Sequence, residues 1–154
     1  MNHLAIKTEN KNSTSEALNA LLCNYQVYYQ NLRNYHWNIS GNHFFDLHNQ
    51  FEGLYNEAET SIDEIAERIL TLRMKPISTL AQYLEFSQIK EESPNDAKDM
   101  VRTIMSNHDI LIKSMMEVIG HAERVRDEGT VDMITGFLGV LEKKSWMFHA
   151  WLDE

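Results

Sequence analysis

The sequence contains only two prolines, six glycines and one cysteine in 154 residues. Because proline and glycine interrupt helices and mark turns, their scarcity favours a few long helices within one domain. With Cys23 as the single cysteine, an intrachain disulfide is impossible and a reducing compartment is the simpler interpretation. No apolar run approaches membrane-spanning length, and the N-terminal segment lacks the apolar centre of a signal peptide. We therefore expect a cytoplasmic protein that does not contact membranes.

The charge balance and the missing motifs narrow the function further. Acidic residues outnumber basic ones by 23 to 14, for a formal net charge of −9, which suits cation handling and disfavours non-specific nucleic-acid binding. Nucleophile elbows, Gly-rich phosphate loops, CxxC pairs and HExxH sequences are absent, so hydrolase and nucleotide functions have no support. None of the seven histidines has Glu three residues before it, which argues against an intrachain di-iron bundle.

One long amphipathic helix is predicted at about residues 43–73. Its polar side carries His48, Asp63 and Glu67, and His36 lies near the end of the preceding helix. Imidazole and carboxylate ligands with open positions suit iron or another first-row divalent metal better than calcium or magnesium. The apolar side of the helix consists of residues at steps of three and four, namely Phe44, Leu47, Phe51, Leu54, Ala58, Ile62, Ile65 and Ile69.

The spacing of these ligands predicts a site shared by two chains. On a helix, His48 and Asp63 are separated by about 22 Å along the axis, so no single ion can contact both. A second copy of the helix running antiparallel, with a twofold axis near Tyr55 and Asn56, would place His48 of one chain against Asp63 and Glu67 of the other. The compact turn at residues 40–42 would bring His36 close to His48. Because of the twofold axis, each dimer would then contain two identical sites.

Each candidate ligand also has a purely structural explanation. His36 closes an apolar stripe, and taken alone it fits a hydrogen-bonded core histidine better than a metal ligand. Together with His48, Asp63 and Glu67, the metal-ligand interpretation is favoured. Asp63 and Glu67 are consistent with a solvated face, although like charges at this spacing are unfavourable unless a cation lies near. Glu52, one turn after His48, is a weaker candidate ligand. Of the other histidines, His108 is expected in the core, and His121 and His149 have no surrounding ligand pattern.

The motif His36-Trp37-Asn38, with His48 twelve residues after His36 and the pair Asp63-x-x-x-Glu67, resembles the Dps proteins, the miniferritins of the ferritin-like superfamily. The resemblance continues to the closing segment 146–152 and covers nearly the whole chain after the first dozen residues. It implies a homododecameric shell with ferroxidase sites across twofold interfaces. At these sites hydrogen peroxide or dioxygen would oxidise Fe²⁺, and the Fe³⁺ would be stored as mineral inside the shell, which protects the cell from oxidative damage.

The resemblance suggests further roles outside the four ligands. Trp37 is expected either to supply an electron and quench radicals or to fill space at an interface. Asp127, Glu128 and Asp132 would line threefold pores, although acids at a helix start are stabilising on their own. DNA compaction is the alternative function of the family. The net charge and the lack of a lysine-rich tail disfavour DNA binding by this chain.

The predicted fold is all-α, a ferritin-like four-helix bundle with a short extra helix in the crossover between helices two and three. Residues 1–12 are predicted to form a flexible N-terminal arm and residues 13–154 the bundle domain. The helix starts are assigned from capping signals at Ser13 with Glu16, Ser78, Ser93 with Pro94, and Gly129 with Thr130.

Overall fold

The structure, a computed structural model, describes the backbone of residues 8–153 and the side chains of residues 13–153. Over this range the chain forms five helices and no strand, which confirms the predicted all-α fold. Four long helices make the bundle, and the short α3 lies in the crossover between its halves. The helices are α1 (Thr8–Asn38), α2 (Phe44–Thr71), α3 (Leu80–Phe86), α4 (Ala97–Arg124) and α5 (Glu128–Leu152). Across these residues, none of the helices has the length and apolar character required to span a membrane.

The first helix starts earlier than predicted. It begins at Thr8, five residues before the capping box at Ser13. Ser, Thr and Asn have only mildly unfavourable helix propensities, so a longer helix can run through a potential cap. The part of the predicted arm at residues 1–7 lies outside the described residues, and the arm stays a prediction.

The apolar stripes pack together as the core of the bundle. The third long helix, α4, buries one side of regularly spaced residues, namely Val101, Ile104, His108, Leu111, Met115 and Val118. His108 is completely enclosed, and its ring nitrogens lie 2.9 Å from the Tyr28 hydroxyl and 2.8 Å from the Ser145 hydroxyl. Burial lowers the pKa of His108 to about 3, because the charged imidazolium would lose its hydration. The prediction that His108 is a core residue is confirmed.

The crossover between α2 and α4 is held by asparagine side chains of α1. Asn19 accepts a hydrogen bond from the backbone N–H of Ile77, and Asn24 accepts one from that of Gln88. Asn31 donates to the carbonyl of Lys90 at 2.9 Å. Because an asparagine amide can both donate and accept, these side chains satisfy backbone groups of a segment that has little helix of its own. They fix the path of the crossover and therefore the position of α3.

The assigned starts of α3 and α4 are wrong, by one and three residues. Thr79, not Ser78, caps α3, and Asp96, not Ser93, caps α4 through the backbone N–H of Asp99. Ser93 instead accepts a hydrogen bond from the Asn34 side chain. Polar side chains cluster before both helices, and tertiary partners decide which of them becomes the cap.

The start of α5 differs for the same reason. Asp127 is its N-cap and accepts from the backbone N–H of Thr130, which lies inside the helix rather than at its start. The cap therefore precedes the predicted Gly129-Thr130 turn.

Candidate metal centre

His36 and His48 face each other across the turn that joins α1 to α2. The turn is possible because Gly41 adopts a φ of +90°, a left-handed conformation that costs glycine little. The two imidazole rings are stacked with centroids 3.8 Å apart and planes within 16° of parallel. The sequence prediction that the turn brings these two histidines together is confirmed by this contact.

Each histidine is oriented by the backbone of the other. Nδ1 of His36 lies 2.8 Å from the carbonyl oxygen of His48, and Nδ1 of His48 lies 2.7 Å from the carbonyl oxygen of His36. A carbonyl oxygen can only accept, so each Nδ1 carries the hydrogen and each Nε2 keeps a free lone pair. Metal-binding histidines typically donate their other ring N–H to a carbonyl in this way. The reciprocal pair is thus prepared to bind metal through two Nε2 atoms.

Aromatic side chains enclose the two imidazoles. Phe44 stacks on His48 with ring centroids 4.7 Å apart, and Tyr55 meets the His36 ring edge-on at 5.2 Å. His36 is 93% buried, whereas His48 is only partly covered. Packing therefore fixes both rings while one side of the pair stays accessible.

The two acidic candidates lie far from the histidines along α2. Asp63 and Glu67 are both exposed, one turn apart, and α2 runs without interruption from Phe44 to Thr71. The helical distance of about 22 Å between His48 and Asp63 therefore applies to the folded chain. Within the described residues of one chain, no three His, Cys, Asp or Glu side chains come together as a metal-binding group. A single chain thus presents a histidine pair near the start of α2 and an acid pair near its end, too far apart to bind one ion.

Glu52 is exposed on the same helix, one turn beyond His48. Glu52 makes no hydrogen bond or ion pair with His36 or His48 in the described structure, and it stays a candidate ligand.

Trp37 does not lie against the His36 ring. It is 57% exposed, and its ring packs on the guanidinium of Arg33, whose carbon lies 4.8 Å from the ring centroid. Arg33 also lies over Tyr29, at 5.2 Å. The role expected of Trp37 stays a prediction.

The acids at the start of α5 are not equivalent. Asp127 is 2% exposed and its carboxylate pairs with Arg68 Nη2 at 2.6 Å, while Arg68 Nε donates to the Thr130 hydroxyl at 2.9 Å. This buried pair ties α2 to α5 and removes Asp127 from the acids available to line a pore. Glu128 and Asp132 are exposed beside a surface depression. Sequence reasoning missed Arg68, since no local pattern links it to an acid 59 residues away.

The ferritin-like domain model matches residues 15–154. The DNA protection during starvation protein 2 of Bacillus anthracis is 39% identical over 140 residues, which cover 90% of this chain and 96% of that protein. The crystal structure of the Dps protein from Vibrio cholerae O1 superposes with a TM-score of 0.93 at 39% identity and covers 96% of this chain and 93% of its own. A Dps protein from Bacillus brevis superposes with a TM-score of 0.91 at 38% identity, covering 96% and 99%. The chain therefore belongs to the Dps family of ferritin-like proteins.

Proposed function

We propose that this protein oxidises Fe²⁺ at sites formed between two copies of the chain and stores the resulting Fe³⁺. The observation that carries the proposal is the reciprocal histidine pair. Its two Nε2 atoms are free to bind metal, whereas the proposed acidic ligands Asp63 and Glu67 on the same helix begin about 22 Å from His48 along the axis. An antiparallel copy of α2 brings the two halves together.

The ligand set suits iron as a substrate. His36 and His48 of one chain supply nitrogen ligands, and Asp63 and Glu67 of the other supply carboxylate oxygens. Carboxylates favour the higher charge of Fe³⁺, and unfilled coordination positions admit the oxidant. In the balanced reaction, one hydrogen peroxide and two protons convert two Fe²⁺ to two Fe³⁺ and two waters. The similar Vibrio cholerae protein is described as a member of the ferritin-like diiron-carboxylate superfamily, which supports two ions per site.

Exposed apolar surface supports self-association. None of the residues of α3 is buried within the chain, although Leu80, Leu84 and Phe86 are large and apolar, and Leu80 is 77% exposed. Such a surface is typical of one that another protein covers. It is continuous with the midpoint of α2, because α3 lies on α1 beside Tyr29, whose ring meets Tyr55 at 6.1 Å. We infer a twofold contact here, repeated in a homododecameric shell in the cytoplasm.

Access of iron to such a shell requires an acidic opening. Glu128 and Asp132 remain exposed after Asp127 is taken by Arg68. Two carboxylates per chain, repeated around a threefold axis, would attract Fe²⁺.

DNA protection is the second candidate, because similar proteins carry that name. The net charge of −9 per chain argues against it, since counterion release on DNA needs clustered basic residues. A gel-shift measurement at low salt and neutral pH decides this point. We expect plasmid DNA to migrate unchanged in the presence of the assembled protein, and retardation would reverse the conclusion.

The ferroxidase proposal is tested by replacing His36→Ala and Asp63→Asn together and following Fe³⁺ formation by stopped-flow absorbance. We expect rapid oxidation by hydrogen peroxide, at less than one iron per site, to be abolished. The matched control carries His149→Ala and Asp109→Asn, which change an exposed histidine and an exposed aspartate elsewhere. Parallel reactions with dioxygen identify the preferred oxidant. If the doubly substituted protein oxidises iron as fast as this control, the site assignment is wrong.

A further inference from the structure

A chain of ring contacts runs from His36 to the surface. The Tyr55 ring meets His36 edge-on at 5.2 Å, and Tyr29 meets Tyr55 at 6.1 Å. Arg33 then lies over both Tyr29 and Trp37. The phenol that touches a proposed ligand is therefore Tyr55, whereas the side-chain contacts lead from Tyr55 to Trp37 through Tyr29 and Arg33.

The guanidinium of Arg33 makes the outer rings poor electron donors. Its carbon lies 4.8 Å from the Trp37 centroid and 5.2 Å from the Tyr29 centroid. A cation over a ring stabilises the neutral ring through its quadrupole, and it repels the positive charge left when an electron is removed. Tyr55 has no such contact with Arg33, and it lies one ring closer to His36.

We propose that Tyr55 is the residue that reduces the second oxidising equivalent of hydrogen peroxide when a single Fe²⁺ occupies the site, an inference that rests on the proposed ferroxidase function. One electron comes from Fe²⁺, which becomes Fe³⁺, and breaks the O–O bond to give hydroxide and an oxidant at the level of a hydroxyl radical. That oxidant takes the phenolic hydrogen atom of Tyr55 and becomes water. The products are Fe³⁺, hydroxide, water and a neutral tyrosyl radical.

The position of Tyr55 suits this role for two reasons. The phenol loses its electron and proton together, so no net charge develops in the partly buried setting between α1 and α2. Tyr55 also lies on α2 seven residues after His48 and eight before Asp63, near the proposed twofold axis. Each copy of Tyr55 would therefore lie between the two sites of a dimer, where a radical is held away from the solvent and the stored mineral.

The test uses the assembled full-length protein, loaded with one Fe²⁺ per site, mixed with hydrogen peroxide and freeze-quenched for electron paramagnetic resonance. We expect a tyrosyl signal that narrows when the protein carries ring-deuterated tyrosine. Tyr55→Phe, which keeps the ring contact with His36, should lose at least four-fifths of that signal, while trapped hydroxyl radical should rise several-fold. Trp37→Phe and Tyr83→Phe, the latter on α3, should keep the signal.

Measuring Fe³⁺ distinguishes a failure of the Tyr55 assignment from a failure of the proposed ferroxidase function. Fe³⁺ is quantified in the same samples, and the native mass of each variant is compared with the wild type. If Fe³⁺ forms normally and the tyrosyl signal survives in Tyr55→Phe, or disappears in Trp37→Phe instead, the assignment to Tyr55 is overturned while the ferroxidase function stands. If the wild-type protein forms no Fe³⁺ with peroxide, the ferroxidase function fails and this inference fails with it.

Discussion

Replacing Arg68 with alanine should destabilise the protein strongly, although Arg68 is not a proposed metal ligand. Its guanidinium is the only cation on the buried Asp127 carboxylate in the described part of the chain, at 2.6 Å, and it also donates to Thr130. Without Arg68, the carboxylate keeps only its hydrogen bonds from Thr130. Breaking a buried ion pair from one side costs about 3–5 kcal/mol. Because Arg68 is about one-fifth exposed, we expect a loss near 3 kcal/mol.

Guanidinium-induced unfolding at a fixed protein concentration measures this loss, since association contributes to the apparent stability. The matched variant combines Arg68→Met with Asp127→Asn, which removes both charges and should recover more than half of the loss. With Arg68→Met and Asp127→Asn also measured alone, the double-mutant cycle isolates the coupling between the two side chains. A cost below about 1 kcal/mol for Arg68→Ala, typical of an exposed pair, would refute the reasoning.

Three further predictions concern the core, the crossover and the helix ends. The pKa of His108 is lowered from 6.5 to about 3. At a pH between these two values, His108 is therefore protonated in the unfolded chain and neutral in the folded chain. The free energy of unfolding should therefore fall by about 2 kcal/mol from pH 7 to pH 5, and His108→Gln should remove that dependence. Asn31→Ala should cost about 2 kcal/mol and increase proteolysis within residues 73–96, because the Lys90 carbonyl and the Glu92 N–H lose their hydrogen bonds with the Asn31 side chain. Arg73→Gly should raise the free energy of unfolding by about 1 kcal/mol, and the thermal midpoint with it, since Arg73 has a φ of +66°.

Each of these has a contradicting result. A pH dependence that persists in His108→Gln would mean that other groups cause it. Unchanged proteolysis in Asn31→Ala would mean that the crossover is held by its other contacts. A lower midpoint for Arg73→Gly would mean that the arginine side chain contributes more than its backbone strain costs.

Helices were predictable from the sequence wherever one face is buried. The apolar steps from Phe44 to Ile69 and from Val101 to Val118 follow the helical period, and burial selects that period directly. Helix starts were less predictable because several capping residues compete. Ser93 and Asp96 are both good caps, and the contact of Ser93 with Asn34 on α1 decided between them.

The candidate site was predictable in composition but only partly in geometry. The spacing from His36 to His48 across a glycine turn indicated that the two meet, and the length of α2 indicated that Asp63 lies too far away. The exchange of hydrogen bonds between each Nδ1 and the other residue's carbonyl has no sequence signature, because it depends on the register of α1 against α2. The pairing of Asp127 with Arg68 was likewise hidden by their distance along the chain.

A complementation measurement tests the central claim most directly. One variant carries His36→Ala and His48→Ala, the other Asp63→Asn and Glu67→Gln, and each is expected to be inactive alone. When the two are unfolded together and reassembled at equal amounts, half of the twofold pairs contain one of each, and each mixed pair has one intact site. We expect about a quarter of the wild-type rate of Fe²⁺ oxidation by peroxide if two chains build each site. No recovered activity in a mixed assembly, shown to be mixed by native mass, would contradict a site shared between chains.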